Sequence, residues 1–473
     1  MAVCRLNKFY PSLIHAALGL VMIVSCSKDM PSPIDSVIPT GNLPNIKPKG
    51  NENYLKENSG YVYNQEKVRT YELLIKNDDL SKLDSDPAKE EYVEAALIFE
   101  GDTISPVGVR YKGSIGAFAG CLSNPDWGHP SGQKICEKLS MQVKINWKDR
   151  KERFFDLNKL QFHSQNYDKS QLRERLAYWI FAEMGVAAPR SVHARLLINN
   201  KYSGLYGLTE EIDNRFAEYF YKEGKGDIYK EVWPVKANGE PESDNAFIEA
   251  LKTNEEKPDV NLIKEFGQAI AASNASTRQE VIRKYMNINE IMSYIVVDRA
   301  IRHDDGPFHW YCSNDGVNSC INHNYYWFED KKNRKMHLIP WDMDGTFEHV
   351  IRNANDHTAL ADKWGETSNK CLPFKIGSGS RQRSAACEKL TAAWVSFGLE
   401  YNTVKADFQH NFVANNKILS RLDVWAKQIE PFITEADNIH NRYITTAANK
   451  KTTTVLVWEN ATNTLRSQVK AIQ

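Results

Sequence analysis

Asp342 and Asp344 stand at i and i+2 in the stretch His337-Leu338-Ile339-Pro340-Trp341-Asp342-Met343-Asp344-Gly345, at the end of an apolar run. A strand that stops in a Gly-containing turn can aim two such carboxylates at one hard cation. Mg²⁺ is held in this way, by one or two carboxylates that leave room for substrate phosphates. In a solvated turn the same acids do no chemistry, so their company decides. Upstream, a helical run Ile288 to Ile301 delivers Arg302-His303-Asp304-Asp305-Gly306, and Asn322-His323-Asn324 leads into the strand-like Tyr325-Tyr326-Trp327-Phe328. Helix, polar loop, strand, turn, strand and acids make one site-building unit.

The elements that must position this unit fall into two halves. From 61 to 213 the chain reads as strands, one helix, then strands. Tyr71 to Ile75, Val93 to Phe99 and Val107 to Lys112 have strand character, the last breaking into Gly113-Ser114-Ile115-Gly116. Lys138 to Trp147 alternates, with Leu139, Met141, Val143, Ile145 and Trp147 on one face and Lys138, Ser140, Gln142 and Lys144 on the other. A lysine on that polar face can reach a nucleotide. A helix follows, capped by Asp168 or Ser170 and stopped at Gly185. A hairpin turning at Asn199-Asn200 then runs into Glu210-Glu211-Ile212-Asp213.

Beyond 214 the pattern is mostly helical, with 214–390 carrying the polar loops. Residues 391–473 read as a helical extension with one strand, Thr454 to Trp458. The 473 residues, 42% hydrophobic and 25% charged, leave room for about three domains or one large two-lobed domain. Sixty basic residues balance sixty acidic ones, so bulk charge points to neither nucleic acid nor a membrane surface.

At the start, Arg5 and Lys8 precede an apolar run from Leu13 to Val24 that closes in Ile23-Val24-Ser25-Cys26. This resembles a bacterial lipobox. It predicts a signal peptide over 1–25, Cys26 as the lipidated first residue, and an exported chain on the outer membrane or cell surface that touches lipid only through that anchor. A plain signal peptide cut elsewhere and a transmembrane anchor are the alternatives. Residues 26–60, rich in Pro, Ser, Asn and Gly, read as a flexible tether. Six cysteines remain, and nearest-neighbour pairing gives Cys121 with Cys136, Cys312 with Cys320 and Cys371 with Cys387, as suits an oxidising compartment. No C-x-x-C occurs, which tells against zinc.

Arg110-Tyr111-Lys112-Gly113-Ser114, Lys138-x-Ser140, Asp168-x-Ser170-x-x-Arg173, Gly204-Leu205-Tyr206-x-Leu208-x-Glu210-x-Ile212-Asp213, Asp227-Ile228-Tyr229-Lys230, Asn324-Tyr325-Tyr326 and Ile339-Pro340-Trp341-Asp342-x-Asp344 occur in this order. Together they resemble the spore coat protein H (CotH) kinase family, from about residue 65 to 440. The resemblance implies an α+β, divergent two-lobed protein-kinase-like fold: a small antiparallel β-rich N-lobe with one helix, and a mostly helical C-lobe. It also implies transfer of phosphate from ATP, with Mg²⁺ or Mn²⁺, to Ser or Thr of a secreted or surface protein. On that basis Asp342, Asp344 and Asn324 would bind metal. Asp305, or Asp304 beside it, would accept the substrate proton. Lys138 or Lys144 would contact phosphates, Glu210 to Asp213 would form the hinge beside adenine, and Lys230 would line the cleft.

Three features depart from the kinase pattern. Asp305 and Asn324 are separated by the Cys312 to Cys320 loop, no complete glycine loop is present, and an exported protein has no obvious supply of ATP. They keep open a non-catalytic surface binding module on the same scaffold. A further alternative rests on Asp342-Met343-Asp344-Gly345-Thr346, which also spells the aspartyl-phosphate motif of haloacid-dehalogenase-like phosphatases. That motif requires a buried parallel strand, and Pro340-Trp341 interrupts the strand here.

Overall fold

Seven strands in the first half close on themselves into a barrel, with Arg69–Ile75 alternating buried and open positions and the others buried over longer runs. They are β1 (Arg69–Ile75), β2 (Val93–Phe99), β3 (Asp102–Tyr111), β4 (Met141–Lys144), β5 (Lys159–His163), β6 (Ser191–Ile198) and β7 (Lys201–Thr209). The order is β1-β2-β3-β4-β5-β7-β6, and β6 returns to β1 as the one parallel pair, with Tyr71 opposite Leu196. Closure leaves no unpaired edge. The interior is filled by Tyr71, Leu73, Leu97, Val109, Met141, Val143, Leu160, Phe162, Leu196 and Leu208, all fully or nearly fully buried. In this computed structural model the described residues are 52–472, apart from 114, 119, 125, 127–128, 150, 222–224, 352–363, 368, 377–379 and 444–450. The expected signal peptide, Cys26 and most of the expected tether lie outside them.

Helix α1 (Arg173–Glu183) interrupts the barrel strands in sequence. Asp168 caps its entry, accepting from the amides of Leu172 and Arg173 at 2.8 and 2.9 Å and from Ser170 Oγ at 2.6 Å. Its apolar residues Leu172, Leu176, Ile180 and Phe181 join the core of the helical half, not the barrel interior. That core gathers α2 (Asn261–Ala272), α3 (Arg278–Tyr285), α4 (Ile288–Ala300), α5 (Gly398–Phe408), α6 (Lys417–Ala436) and α7 (Val455–Lys470) around Trp233, Trp327, Trp394 and Trp425. The fold is therefore α+β, with helix and sheet largely segregated along the chain.

A three-stranded antiparallel sheet, β8 (Gly226–Lys230), β9 (Tyr325–Asp330) and β10 (Lys335–Pro340) in the order β8-β9-β10, packs one face on the helical core and the other on Ile212, Phe216 and Ala217. A smaller sheet pairs Trp310–Cys312 with Cys320–Ile321 and with Ser380–Arg383, which in turn pairs with Phe374–Ile376.

Several elements differ from expectation, among them a helix over Asn77–Ser85 in a half expected to hold a single helix. Thr454 to Trp458, expected as a strand, opens α7: Thr454 caps it by accepting from the Val457 amide at 3.3 Å. The β-branched run is short, and the buried Trp458, Thr462, Leu465 and Val469 that continue it keep helical spacing. Strand β5 was not anticipated, being five residues with only Leu160 and Phe162 facing inward.

The three nearest-neighbour disulfides are present, with Cα separations of 4.9 Å (Cys121–Cys136), 3.9 Å (Cys312–Cys320) and 5.3 Å (Cys371–Cys387). The shortest lies below the usual range because Cys312 and Cys320 sit directly opposite on antiparallel strands. Disulfides of this number mark a chain that folds in an oxidising, exported environment. Among the described residues no helix is long and apolar enough to cross a membrane.

Candidate active site

The hairpin of β9 and β10 ends at the centre of the molecule. Tyr325 faces Pro340 as the last ladder pair, and the Trp341 amide still donates to the Asn324 carbonyl at 3.3 Å. Immediately beyond, both Asn324 (φ 61°) and Asp342 (φ 57°) adopt the left-handed conformation. Asn and Asp tolerate it better than other side chains, because they bond locally to the backbone. The turn is then fastened from two sides. The Asp342 amide donates to the Tyr178 hydroxyl of α1 at 3.1 Å, Arg173 Nη1 donates to the Thr346 carbonyl at 2.5 Å, and the Phe347 amide donates to the Ile301 carbonyl at 2.6 Å. Met343 and Phe347 are fully buried beneath, while the Asp342 side chain stays open to solvent although protein surrounds it. It forms the floor of a cleft.

The loop after α4 supplies the second wall. Asp298 holds it, forming an ion pair with Arg299 and a 3.2 Å contact with His303 Nδ1. Gly306 is required here, since a Cβ would lie 2.3 Å from His303 Nδ1. The two neighbouring acids point in different directions. Asp304 is turned inward, 10% exposed, against His349 Nδ1 at 2.5 Å. Asp305 faces outward at 59% exposure, with Oδ1 taking the His323 Nε2 hydrogen at 2.9 Å and Oδ2 the Asn324 Nδ2 hydrogen at 2.7 Å. The Cys312 to Cys320 segment folds away as its own disulfide-clamped strand pair, and this lets Asp305 and Asn324 meet. Burial pushes the Asp305 carboxyl up, but the His323 hydrogen bond and the charges of His323, His303 and His309 outweigh it and hold the group below its ordinary value. At the cleft, then, the ionised form is favoured.

The cation facing the acids is Lys112, at the end of β3. Its Nζ donates to Gln161 Oε1 and lies 3.1 Å from His163 Nε2. An ammonium has no lone pair, so His163 must accept there and donate from Nδ1 to Glu174 Oε1 at 2.8 Å. Glu174, on α1, also accepts from Thr209 Oγ1 at 3.2 Å. Burial lowers the Lys112 pKa, and the charges of Glu211, Glu174 and Asp342 push it back up. The Lys112 ammonium also sits 5.4 Å over the Trp341 ring, next to Asp342.

The expected basic and hinge residues are placed differently. Lys138 precedes β4 and is buried; its Nζ donates to the Leu205 carbonyl at 2.7 Å, and its charged neighbours are Lys169 and Glu137 rather than the cleft acids. Burial, then repulsion from Lys169, pushes it down to about 7. The fold therefore puts Lys112 from the neighbouring strand, and not Lys138, at the acids. Lys144 lies along the barrel wall, 5.9 Å from the Tyr92 ring. Glu210 is buried in an ion pair with Arg190, whose Nε donates at 2.9 Å. Asp213 caps the helix Asn214–Phe220, accepting from the Arg215 amide at 2.8 Å. Burial, then the charge of Glu211, pushes Asp213 up to about 6. Lys230 does approach the cleft: its charge is felt by Lys112, it lies 5.9 Å over the Tyr326 ring, and neighbouring Glu231 accepts the Asn324 amide at 3.1 Å.

Asp342 and Asp344 make no side-chain hydrogen bond or ion pair among the described residues. Burial first, and then their acidic neighbours, raise both above the ordinary carboxyl range, Asp344 by much the more, with Asp342 its nearest charge. A divalent cation relieves such an excess of negative charge. Among the described residues no three His, Cys, Asp or Glu side chains make a ready cage. The oxygens left uncommitted here, which could hold a cation, are the Asp342 and Asp344 carboxylates and the Asn324 Oδ1, whose amide nitrogen is already given to Asp305. Such an incomplete oxygen set is the kind Mg²⁺ accepts when phosphates complete it.

Lys112, His163 and Glu174 were not singled out from the sequence, although Lys112 lies within Arg110 to Ser114 and Glu174 directly follows Arg173. The class defined by these observations is an α+β protein with a carboxylate cleft between a β-barrel and a helical core, faced by a lysine seated on a histidine. A family model described as CotH kinase protein matches residues 109–459, well over half of the chain, and the chain belongs to that family. No curated protein matches it.

Proposed function

We propose that this chain is a phosphotransferase on a divergent two-lobed kinase-like fold, moving the γ-phosphate of ATP to a Ser or Thr hydroxyl of a secreted or surface protein. The observation that carries the reading is the meeting of Asp305, Asn324 and Asp342 in one cleft opposite Lys112. Phosphoryl transfer asks little covalent chemistry of a protein; it asks for placed charges and a placed nucleophile. Asp305, kept ionised and outward, accepts the proton of the incoming hydroxyl. Lys112, pinned by Gln161 and His163, binds phosphate oxygens, and Lys230 adds charge at the rim. Asp342, Asp344 and Asn324 Oδ1 hold Mg²⁺ or Mn²⁺, which screens the phosphate charge when bound.

Export and a lipid anchor at Cys26 belong to the same proposal, supported by the disulfides and the Arg5 to Cys26 pattern. The aspartyl-phosphate alternative is disfavoured by β10, an antiparallel strand at a sheet edge where that motif needs a parallel one. The non-catalytic module draws support from the missing glycine loop. Incubation of the purified chain with γ-labelled ATP, Mg²⁺ and a Ser/Thr-rich secreted protein separates the two. Acid-stable label on Ser or Thr, absent in Asp305→Asn, supports transfer; no label with any divalent cation supports the module.

A further inference from the structure

Helix α1 has a second working side. Tyr178 turns to the cleft and holds the Asp342 amide, whereas the next residue, Trp179, lines a groove of about 530 Å³ on another face. The groove is completed by Asn411, whose amide is held by Asp407 at 2.6 Å, and by Asn415, Lys417, Ser420, Arg421 and Val424. Positions 417, 420, 421 and 424 share one face of α6, being three and four residues apart. The volume is that of an ordinary small-ligand site.

Its electrostatics are one-sided. Arg421 places its guanidinium 5.2 Å over the Trp179 ring and 5.5 Å over the Trp425 ring, and among the described residues it has no hydrogen-bond or ion-pair partner. On the same Trp425 ring, at 4.1 Å, lies the guanidinium of Arg175. Arg175 is buried, and its partners are neutral: Gln65, His193 and Gln428. Lys417 lies over Trp179 at 5.7 Å and over Phe412 at 4.4 Å, and among the described residues Glu183 at 2.7 Å is its acidic contact. Three cations and one carboxylate thus meet around two indoles. Stacking on rings keeps the Arg421 fork extended while leaving its N–H groups unused.

We infer that this groove binds a small anionic, hydroxyl-bearing ligand, a sugar acid or sugar phosphate, independently of the Asp342 cleft. The planar Arg421 fork matches a carboxylate or phosphate, and Lys417 adds a point charge. The Asn415 amide and Ser420 hydroxyl can both donate to and accept from ligand hydroxyls, and Trp179 with Val424 offers apolar surface for a ring.

Titration of the chain with glucuronate, glucose 6-phosphate, inorganic phosphate and glucose, followed by calorimetry and tryptophan fluorescence, tests this. Saturable binding of glucuronate or glucose 6-phosphate, with glucose inert, is expected, and whichever binds tighter identifies the acid group. Arg421→Gln should weaken binding ~10-fold or more, and Lys417→Gln by a smaller factor, with circular dichroism unchanged. No binding by either sugar anion, inorganic phosphate binding as tightly as they do, or undiminished binding by Arg421→Gln overturns the inference.

Discussion

The side-chain amide of Asn324 donates to Asp305 Oδ2 at 2.7 Å although the two residues are 19 positions apart and a disulfide-closed loop lies between them. One Asn side chain thereby divides its two ends. Nδ2 fixes the Asp305 carboxylate, and under the proposed function Oδ1 is the end that would face a cation. The left-handed turns at Asn324 and Asp342 exist to present these groups together, at the end of a hairpin held rigid by its ladder and by Tyr178.

The choice between lysines can be tested by substitution. Lys112→Met should weaken ATP binding ~10-fold or more, the loss of a charge-assisted contact worth about 1.5–3 kcal/mol. Lys138→Met should leave affinity within about twofold, because its ammonium is spent on the Leu205 carbonyl. Equilibrium binding of a fluorescent nucleotide decides. The reverse ranking would return the role to Lys138.

Glu329 makes a pH prediction. It is buried on β9, accepts from Tyr229 OH at 2.9 Å and from the Ile263 amide at 3.1 Å, and burial pushes it up to about 7. The unfolded side chain ionises near 4.5, so the folded state holds the proton more tightly. That stabilisation is complete below about pH 4.5 and lost as pH rises through 7. Glu329→Gln should therefore be more stable than wild type at pH 8, by on the order of 2–3 kcal/mol, and the gap should close toward pH 4.5. Urea unfolding across this range checks the sign.

Cys26→Ser should move the protein from the membrane fraction to the soluble exported fraction. Mass analysis of the mature N-terminus gives the direct readout: a diacylglyceryl-modified Cys26 is expected, and a different first residue contradicts the anchor.

Period-two alternation made most barrel strands readable, and the Asp342, Asn324 and Asp305 groupings were visible as acids and amide at strand and helix ends. Barrel closure through a parallel β1–β6 pair was not, because alternation says which face a residue takes and nothing about which strands meet. The position of the Lys138 ammonium was hidden for the same reason. Lys138 keeps the alternation, yet β4 begins only at Met141, and before it the chain folds under β7 so that the ammonium meets a carbonyl. Lys112 ends its strand at the cleft, a three-dimensional fact without a local pattern. The Thr454 to Trp458 run was ambiguous for its length, since five apolar and β-branched residues fit either a strand or a first helical turn.

The most direct measurement is calorimetric titration of the chain with ATP, with and without Mg²⁺, alongside Asp342→Asn. The substitution removes one charge and hardly changes shape, so the fold should persist, as circular dichroism would show. Wild type should bind ATP in a Mg²⁺-dependent manner, Asp342→Asn should lose that dependence, and Asp344→Asn should retain part of it. Nucleotide binding by Asp342→Asn equal to that of wild type, or no binding by wild type with any divalent cation, would contradict the account.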